Sequence, residues 1–135
     1  MKTKQKILFV CLGNSCRSIM AEALARHFHP GHWEAASAGL TPLGYVVEET
    51  VQVLEEMGVN PEGLYSKGLK EVDLAGFQAI VNLTEYNLKR YVPDALRGRL
   101  INRPVEDPYD LDLTAYRRAR EEIILLLSEL AEDPL

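Results

Sequence analysis

Lys6-Ile7-Leu8-Phe9-Val10-Cys11-Leu12-Gly13-Asn14-Ser15-Cys16-Arg17-Ser18 is the stretch on which the reading of this chain turns. Lys6 to Val10 is a short, nearly unbroken apolar run of β-formers, as expected for a strand buried on both faces of a parallel sheet. A glycine-containing loop follows. From Ser18 the pattern becomes helical, with Ile19, Met20, Ala23, Leu24, His27 and Phe28 on one stripe that stops near Pro30-Gly31. Strand, tight loop and helix therefore succeed one another, and in α/β sheets the first strand-to-helix turn is the usual anion cradle.

The loop residues suit that task. Leu12, Gly13, Asn14, Ser15 and Cys16 can turn several backbone N–H groups inward, and Gly13 and Asn14 are types that tolerate a left-handed backbone. Arg17 falls in the first turn of the helix, where a cation opposes the positive end of the macrodipole, so an anion is expected between them. Its planar donors match phosphate oxygens, and with the N–H ring they would favour a thiolate at Cys11. Ser18 can donate to that thiolate or cap the helix. Alone, Cys11 would pass for a small buried hydrophobe and Arg17 for a solvated cation. The Cys-x5-Arg-Ser spacing at a strand end and helix start is what assigns them a nucleophile, its activating field and an anion clamp.

Working outward, Trp33 to Ala38 reads as a second strand and Gly39 to Gly44 as a loop. Val46, Val47, Val51, Leu54 and Met57 mark a helix face that ends at Gly58. Further strands are expected over Ala79–Leu83 and Arg99–Asn102, and Asp107-Pro108-Tyr109-Asp110 must be loop because of Pro108. A closing helix runs from Asp112 or Leu113 to Ala131, burying Tyr116, Ala119, Ile123, Leu126, Leu127 and Leu130. Four strands alternating with helices predict one α/β domain over residues 1–135, a doubly wound four-stranded parallel sheet flanked by helices.

Bulk properties narrow the partners. The 135 residues are 47% hydrophobic and 26% charged, the balance of one globular domain. A formal net charge of -5 argues against nucleic acid or an anionic membrane as partner, so any phosphate must be held locally. No apolar run approaches a bilayer span, and the basic start, Met1 to Lys6, lacks the apolar stretch and cleavage site of a secretory signal, which makes the cytoplasm the expected location. The two cysteines, Cys11 and Cys16, cannot assemble a zinc site by themselves and are too close to staple a fold. His27, His29 and His32 cluster where the first helix ends, and read as favourable C-terminal charges or surface residues ahead of metal ligands.

The loop from Val10 to Ser18, Ala21-Glu22-Ala23, Ser37-Ala38-Gly39 and Asp107-Pro108-Tyr109 together resemble the low-molecular-weight protein tyrosine phosphatase family over nearly the whole chain. The resemblance implies that Cys11 attacks phosphorus, Arg17 holds the equatorial oxygens, and Asp107 protonates the leaving phenolate and later serves as base. It implies no cofactor or metal. Asp-Pro alone would pass for a turn initiator; its pairing with the Cys-x5-Arg loop gives Asp107 a catalytic role. By the same resemblance Asn14 and Ser37 form the pair that supports the loop, and Cys16 can form a reversible disulfide with Cys11. Tyr45 and Tyr109 would wall the substrate, either a phosphotyrosine protein or a small aryl phosphate, while Asp110 would disfavour acidic substrates. The oligomeric state is not legible.

The thioredoxin-coupled arsenate reductases share the fold and the loop, so arsenate is the competing anion. Their relay uses two further cysteines after the third strand, where this chain reads Asn82-Leu83-Thr84-Glu85-Tyr86-Asn87-Leu88-Lys89-Arg90-Tyr91. A reductase would have to work through Cys16 or an external thiol. A non-catalytic phosphate-binding module is a third reading, against which the thiol of Cys11 stands.

Overall fold

The computed structural model describes residues 4–132. Its four-stranded sheet is wholly parallel, with β1 (Gln5–Cys11), β2 (Trp33–Gly39), β3 (Ala79–Asn82) and β4 (Leu100–Asn102) in the spatial order β2-β1-β3-β4. Three α-helices accompany it: α1 (Arg17–Phe28), α2 (Glu48–Glu55) and α3 (Leu113–Glu132).

Side chains alternate across β1 and divide the core in two. Ile7 and Phe9 face the helical side with Trp33, Ala35, Ala79 and Val81, where Met20, Leu24, Val53, Leu54, Ile123 and Leu127 cover them. Leu8 and Val10 face the opposite side with Ala38 and Ile80, beneath Phe77, Leu88 and Val92. All three α-helices thus lie on one face. The other face is covered by short 3-10 turns at Leu69–Glu71, Leu74–Gly76, Lys89–Tyr91 and Asp94–Arg99. For α1, between β1 and β2, and the 3-10 turns between β3 and β4, this follows from handedness, because right-handed crossovers moving in opposite directions across a sheet use opposite faces.

The expected elements are all found, with shifted details. The link between β3 and β4 holds only 3-10 turns, so strands and α-helices do not strictly alternate. The second helix begins at Glu48 and buries Thr50, Val53 and Leu54, leaving Val46 and Val51 only half-buried. Its face is rotated from the expected one because Thr50, polar in the sequence, is drawn inward by a hydrogen bond. In α1 every residue from Arg17 to Ala25 is buried, whereas His27 and Phe28, expected on the stripe, are exposed. The six predicted core positions of α3 are its six buried residues.

Strand order reverses about β1: its chain leaves toward β2, while the chain from β3 leaves toward β4. The crevice at the carboxyl ends of β1 and β3 is the topological switch point where such sheets bind ligands. Cys11 is the last residue of β1.

Candidate active site

Residues 12–16 make the turn from β1 into α1, and their carbonyls are held from outside. Leu40, Thr41 and Leu43 donate their N–H groups to the carbonyls of Cys11, Leu12 and Gly13 at 3.0, 2.8 and 2.9 Å. Thr50 Oγ1 donates to the Ser15 carbonyl at 2.8 Å, which ties α2 to the loop. With these carbonyls engaged from outside, the loop has the arrangement from which an N–H anion nest is built. Asn14 supplies the left-handed residue, with φ +47°.

The backing of the loop needs a glycine at the end of β2. A Cβ on Gly39 would lie 2.8 Å from both the Asn14 nitrogen and the Leu12 carbonyl oxygen, so only glycine lets β2 approach this closely.

Asn14 is buried and sits at the centre of the support. Its Oδ1 accepts the backbone N–H of Lys67 at 2.8 Å, which fixes the amide orientation, and its Nδ2 donates to Ser18 Oγ at 2.7 Å. Ser18 Oγ lies 2.9 Å from Cys11 Sγ. Because the hydroxyl oxygen already accepts from Asn14, its proton is free to point at the sulfur. A chain of donors thus runs from the main chain at Lys67 through Asn14 and Ser18 to Cys11.

Ser37 does not join that chain as expected. Its hydroxyl donates to Glu22 Oε1 at 2.5 Å, and Arg26 Nη2 meets Glu22 Oε2 at the same distance, 2.5 Å. Lys67 Nζ is 3.9 Å from Glu22. Ser37 therefore belongs to a buried charged cluster under the loop, while Lys67 takes the place beside Asn14 that Ser37 was expected to fill. The sequence gives no signal for a backbone N–H as the partner of Asn14. Burial lowers the Lys67 pKa from its ordinary value, a shift that the Glu22 carboxylate opposes.

Arg17 is 6% exposed, and its guanidinium is divided between the protein and the cleft. Nη1 donates to the carbonyls of Leu83 and Val105, each at 3.1 Å, so the ends of β3 and of the segment after β4 fix its plane. Nη2 is 3.4 Å from Asp107 Oδ2. Nε is buried with no hydrogen-bond partner in the protein. The Nε–Nη2 edge is the one suited to a bidentate anion, and a tetrahedral oxyanion held between it and the N–H nest would meet its donors on several sides.

Asp107 lies across the cleft, 41% exposed, with Oδ1 accepting the Tyr109 N–H at 3.1 Å in a local turn. Cys11, Leu12, Gly13, Ser15, Cys16, Arg17, Asp107 and Tyr109 line one cleft of about 250 Å³, together with Thr41 and Leu43, which sequence reasoning did not single out. Tyr45 does not line it. Instead Tyr45 is exposed, and its phenol is the main influence raising the Tyr109 phenol pKa.

Cys16 lines the cleft but is buried. Its sulfur is 3.6 Å from Ser15 Oγ and 3.7 Å from Tyr116 OH on α3, and burial pushes its thiol pKa up. Both cysteines are free thiols. His27 stacks against Phe28, and His29 and His32 against Trp33, rather than around a common centre. Among the described residues no group of three His, Cys, Asp or Glu side chains converges on a metal-sized site. Nor is any described helix long and apolar enough to cross a membrane.

Residues 6–133 match the low molecular weight phosphotyrosine protein phosphatase family. The chain belongs to that family, whose phosphatases and arsenate reductases share one fold. An arsenate reductase of Brevibacillus brevis is 28% identical over 132 residues, covering 98% of each chain. The low molecular weight protein tyrosine phosphatase of T. tengcongensis superposes with a TM-score of 0.84 at 30% identity, over 96% of this chain and 99% of that one. The YwlE arginine phosphatase of Geobacillus stearothermophilus gives 0.83 at 27% identity, over 95% and 91%.

Proposed function

We propose that this protein is a cysteine-dependent phosphatase that hydrolyses phosphotyrosine or similar aryl phosphate monoesters through a cysteinyl-phosphate intermediate. The observation that carries the reading is the placement of a buried thiol, 2.9 Å from a donor-positioned Ser18 hydroxyl, in one cleft with Arg17 and Asp107. In the first step the Cys11 thiolate attacks phosphorus as the phenolate oxygen departs opposite it. Arg17 and the loop N–H groups hold the three equatorial oxygens, which carry the charge of the loose transition state. Asp107 gives its proton to the phenolate. A water then attacks the cysteinyl-phosphate, Asp107 takes its proton, and inorganic phosphate and the thiolate are regenerated.

The tyrosine phosphatase similarity and the aromatic wall at Tyr109 favour a flat aryl leaving group. Arsenate reduction is the second reading, favoured by the Brevibacillus relative. It needs a thiol to resolve the Cys11 adduct, and the only other cysteine in the chain is Cys16.

Purified reduced protein should hydrolyse p-nitrophenyl phosphate without metal at mildly acidic pH. Cys11→Ser should abolish turnover, and Asp107→Asn should cut kcat by roughly 10²- to 10⁴-fold, as expected for a lost general acid. Wild-type protein without turnover would overturn the phosphatase reading. Thiol-dependent arsenite production, or hydrolysis of phosphoarginine in preference to phosphotyrosine, would redirect it within the family.

A further inference from the structure

A second cleft adjoins the one that holds Cys11. Leu12 and Thr41 line both, and the second, of about 560 Å³, has walls that include Tyr86, Lys89, Arg90, Tyr91 and Arg97 from the 3-10 turns after β3. We infer that this second cleft receives an acidic stretch of polypeptide flanking the phosphorylated residue, so that the substrates are acidic phosphoproteins. The inference rests on the phosphatase reading and narrows its substrate class.

Charge is the first argument. The chain has 20 acidic against 15 basic residues, yet this wall gathers three cations. Lys89 and Arg90 are exposed and make no ion pair among the described residues. Arg97 is committed to the protein, bonding Asp94 at 2.7 Å and the carbonyls of Lys89 and Val92 at 3.0 and 3.2 Å. It therefore stiffens the turn that presents Lys89 and Arg90, the latter 5.9 Å from the Tyr91 ring centroid. Asp107 stands on the Cys11 side, and neither Glu85, adjacent in sequence, nor Asp110, expected from the sequence to disfavour acidic substrates, lines the second cleft.

Shape and surface are the second argument. Tyr86 and Tyr91 remain 56% and 47% exposed, large amphipathic rings of the kind that line polypeptide-binding surfaces. The wall is held in place, since Asn82 Nδ2 donates to the Tyr86 carbonyl at 2.7 Å and Asn87 Oδ1 accepts the Lys89 N–H at 3.0 Å. Ordering it on binding therefore costs little. An extended peptide advances about 3.3 Å per residue, so residues flanking a phosphotyrosine seated at Cys11 run beyond the catalytic cleft. A small aryl phosphate does not.

The test compares kcat/KM for matched phosphotyrosine peptides carrying glutamate, alanine or lysine on either side, beside p-nitrophenyl phosphate. Glutamate peptides should be preferred over alanine by about fivefold, the effect of two exposed ion pairs, mostly in KM and fading with salt. The Lys89→Ala/Arg90→Ala double variant should lose that preference while keeping wild-type kcat and KM on p-nitrophenyl phosphate. Equal treatment of glutamate and alanine peptides, or a preference that survives the double variant, would overturn the inference and leave the phosphatase reading standing. Absence of p-nitrophenyl phosphate turnover would instead fault the catalytic reading. The affinities of the same peptides for Cys11→Ser, followed by fluorescence anisotropy, would then decide the cleft by the same ratio.

Discussion

Ser18→Ala is the substitution that tests the loop chemistry most directly. Ser18 Oγ receives one hydrogen bond from Asn14 at 2.7 Å and sits 2.9 Å from Cys11 Sγ, so removal of this oxygen deletes the hydroxyl placed to donate to the thiolate of the proposed mechanism. A hydrogen bond to an ionised partner contributes about 1.5–3 kcal/mol. The sulfur is an anion both as nucleophile and as leaving group, so the loss should slow both chemical steps. At about 1.4 kcal/mol per decade the expected fall in kcat is roughly ten- to hundredfold. The variant also leaves the buried Asn14 Nδ2 without its acceptor, at a stability cost of about 1–3 kcal/mol. Urea unfolding should register that cost separately from p-nitrophenyl phosphate kinetics taken where both proteins are folded. Alkylation of Cys11 by iodoacetamide, read by mass spectrometry at fixed pH, should slow as well. A folded variant turning over within about threefold of wild type would refute the assignment of Ser18 as the sulfur's donor.

Gly39→Ala should lose activity although residue 39 lies in a strand. The new methyl would lie 2.8 Å from backbone atoms of Asn14 and Leu12, which cannot swing aside, and unfolding should show a loss of roughly 1–3 kcal/mol. Glu56 lies away from the site and reports on the surface between α2 and α3. Hydrogen bonds from Arg117 and Arg120 pull its pKa from 4.5 to about 2, so this contribution to stability is complete above 4.5 and is lost as pH falls toward 2. Glu56→Gln should therefore flatten the acid side of the stability profile in that window, and an unchanged slope in pH-dependent urea melts would contradict the pairing.

What could be read from the residues was what has a local pattern. The apolar run of β1, the Cys-x5-Arg spacing and the i, i+3, i+4, i+7 stripe of α3 each carry their structure in neighbouring positions. Ser37 was misplaced because its partner, Glu22, is charged and buried on α1, an arrangement that periodicity assigns to solvent. Thr50 was missed for the matching reason: a polar side chain on an apolar helix face has its partner in the loop, 35 positions away. The family resemblance makes Tyr45 a wall, but it is 55% exposed and does not line the Cys11 cleft. The second cleft escaped notice since Leu12, Thr41 and Lys89 meet only after the sheet has brought three loops to one edge.

The same geometry bears on the choice between phosphate and arsenate. The nest, Arg17 and Cys11 offer the same contacts to either tetrahedral oxyanion, so anion binding does not discriminate. What separates the two reactions is the fate of the sulfur. Hydrolysis of cysteinyl-phosphate needs a water and a base, and Asp107, the base of the proposed mechanism, lines the cleft. Arsenate reduction must move two electrons from thiols, and a second thiol has to reach the Cys11 adduct as a thiolate. Cys16 is the only internal candidate, and its surroundings oppose the role: its sulfur is engaged by Ser15 and Tyr116, and burial holds it toward the protonated thiol. An external thiol would have to enter the same narrow cleft that the aryl group of a phosphate ester fills. On the proposed reading the groups that hydrolysis uses line one cleft with Cys11, while a reductase would need its electron path brought from outside.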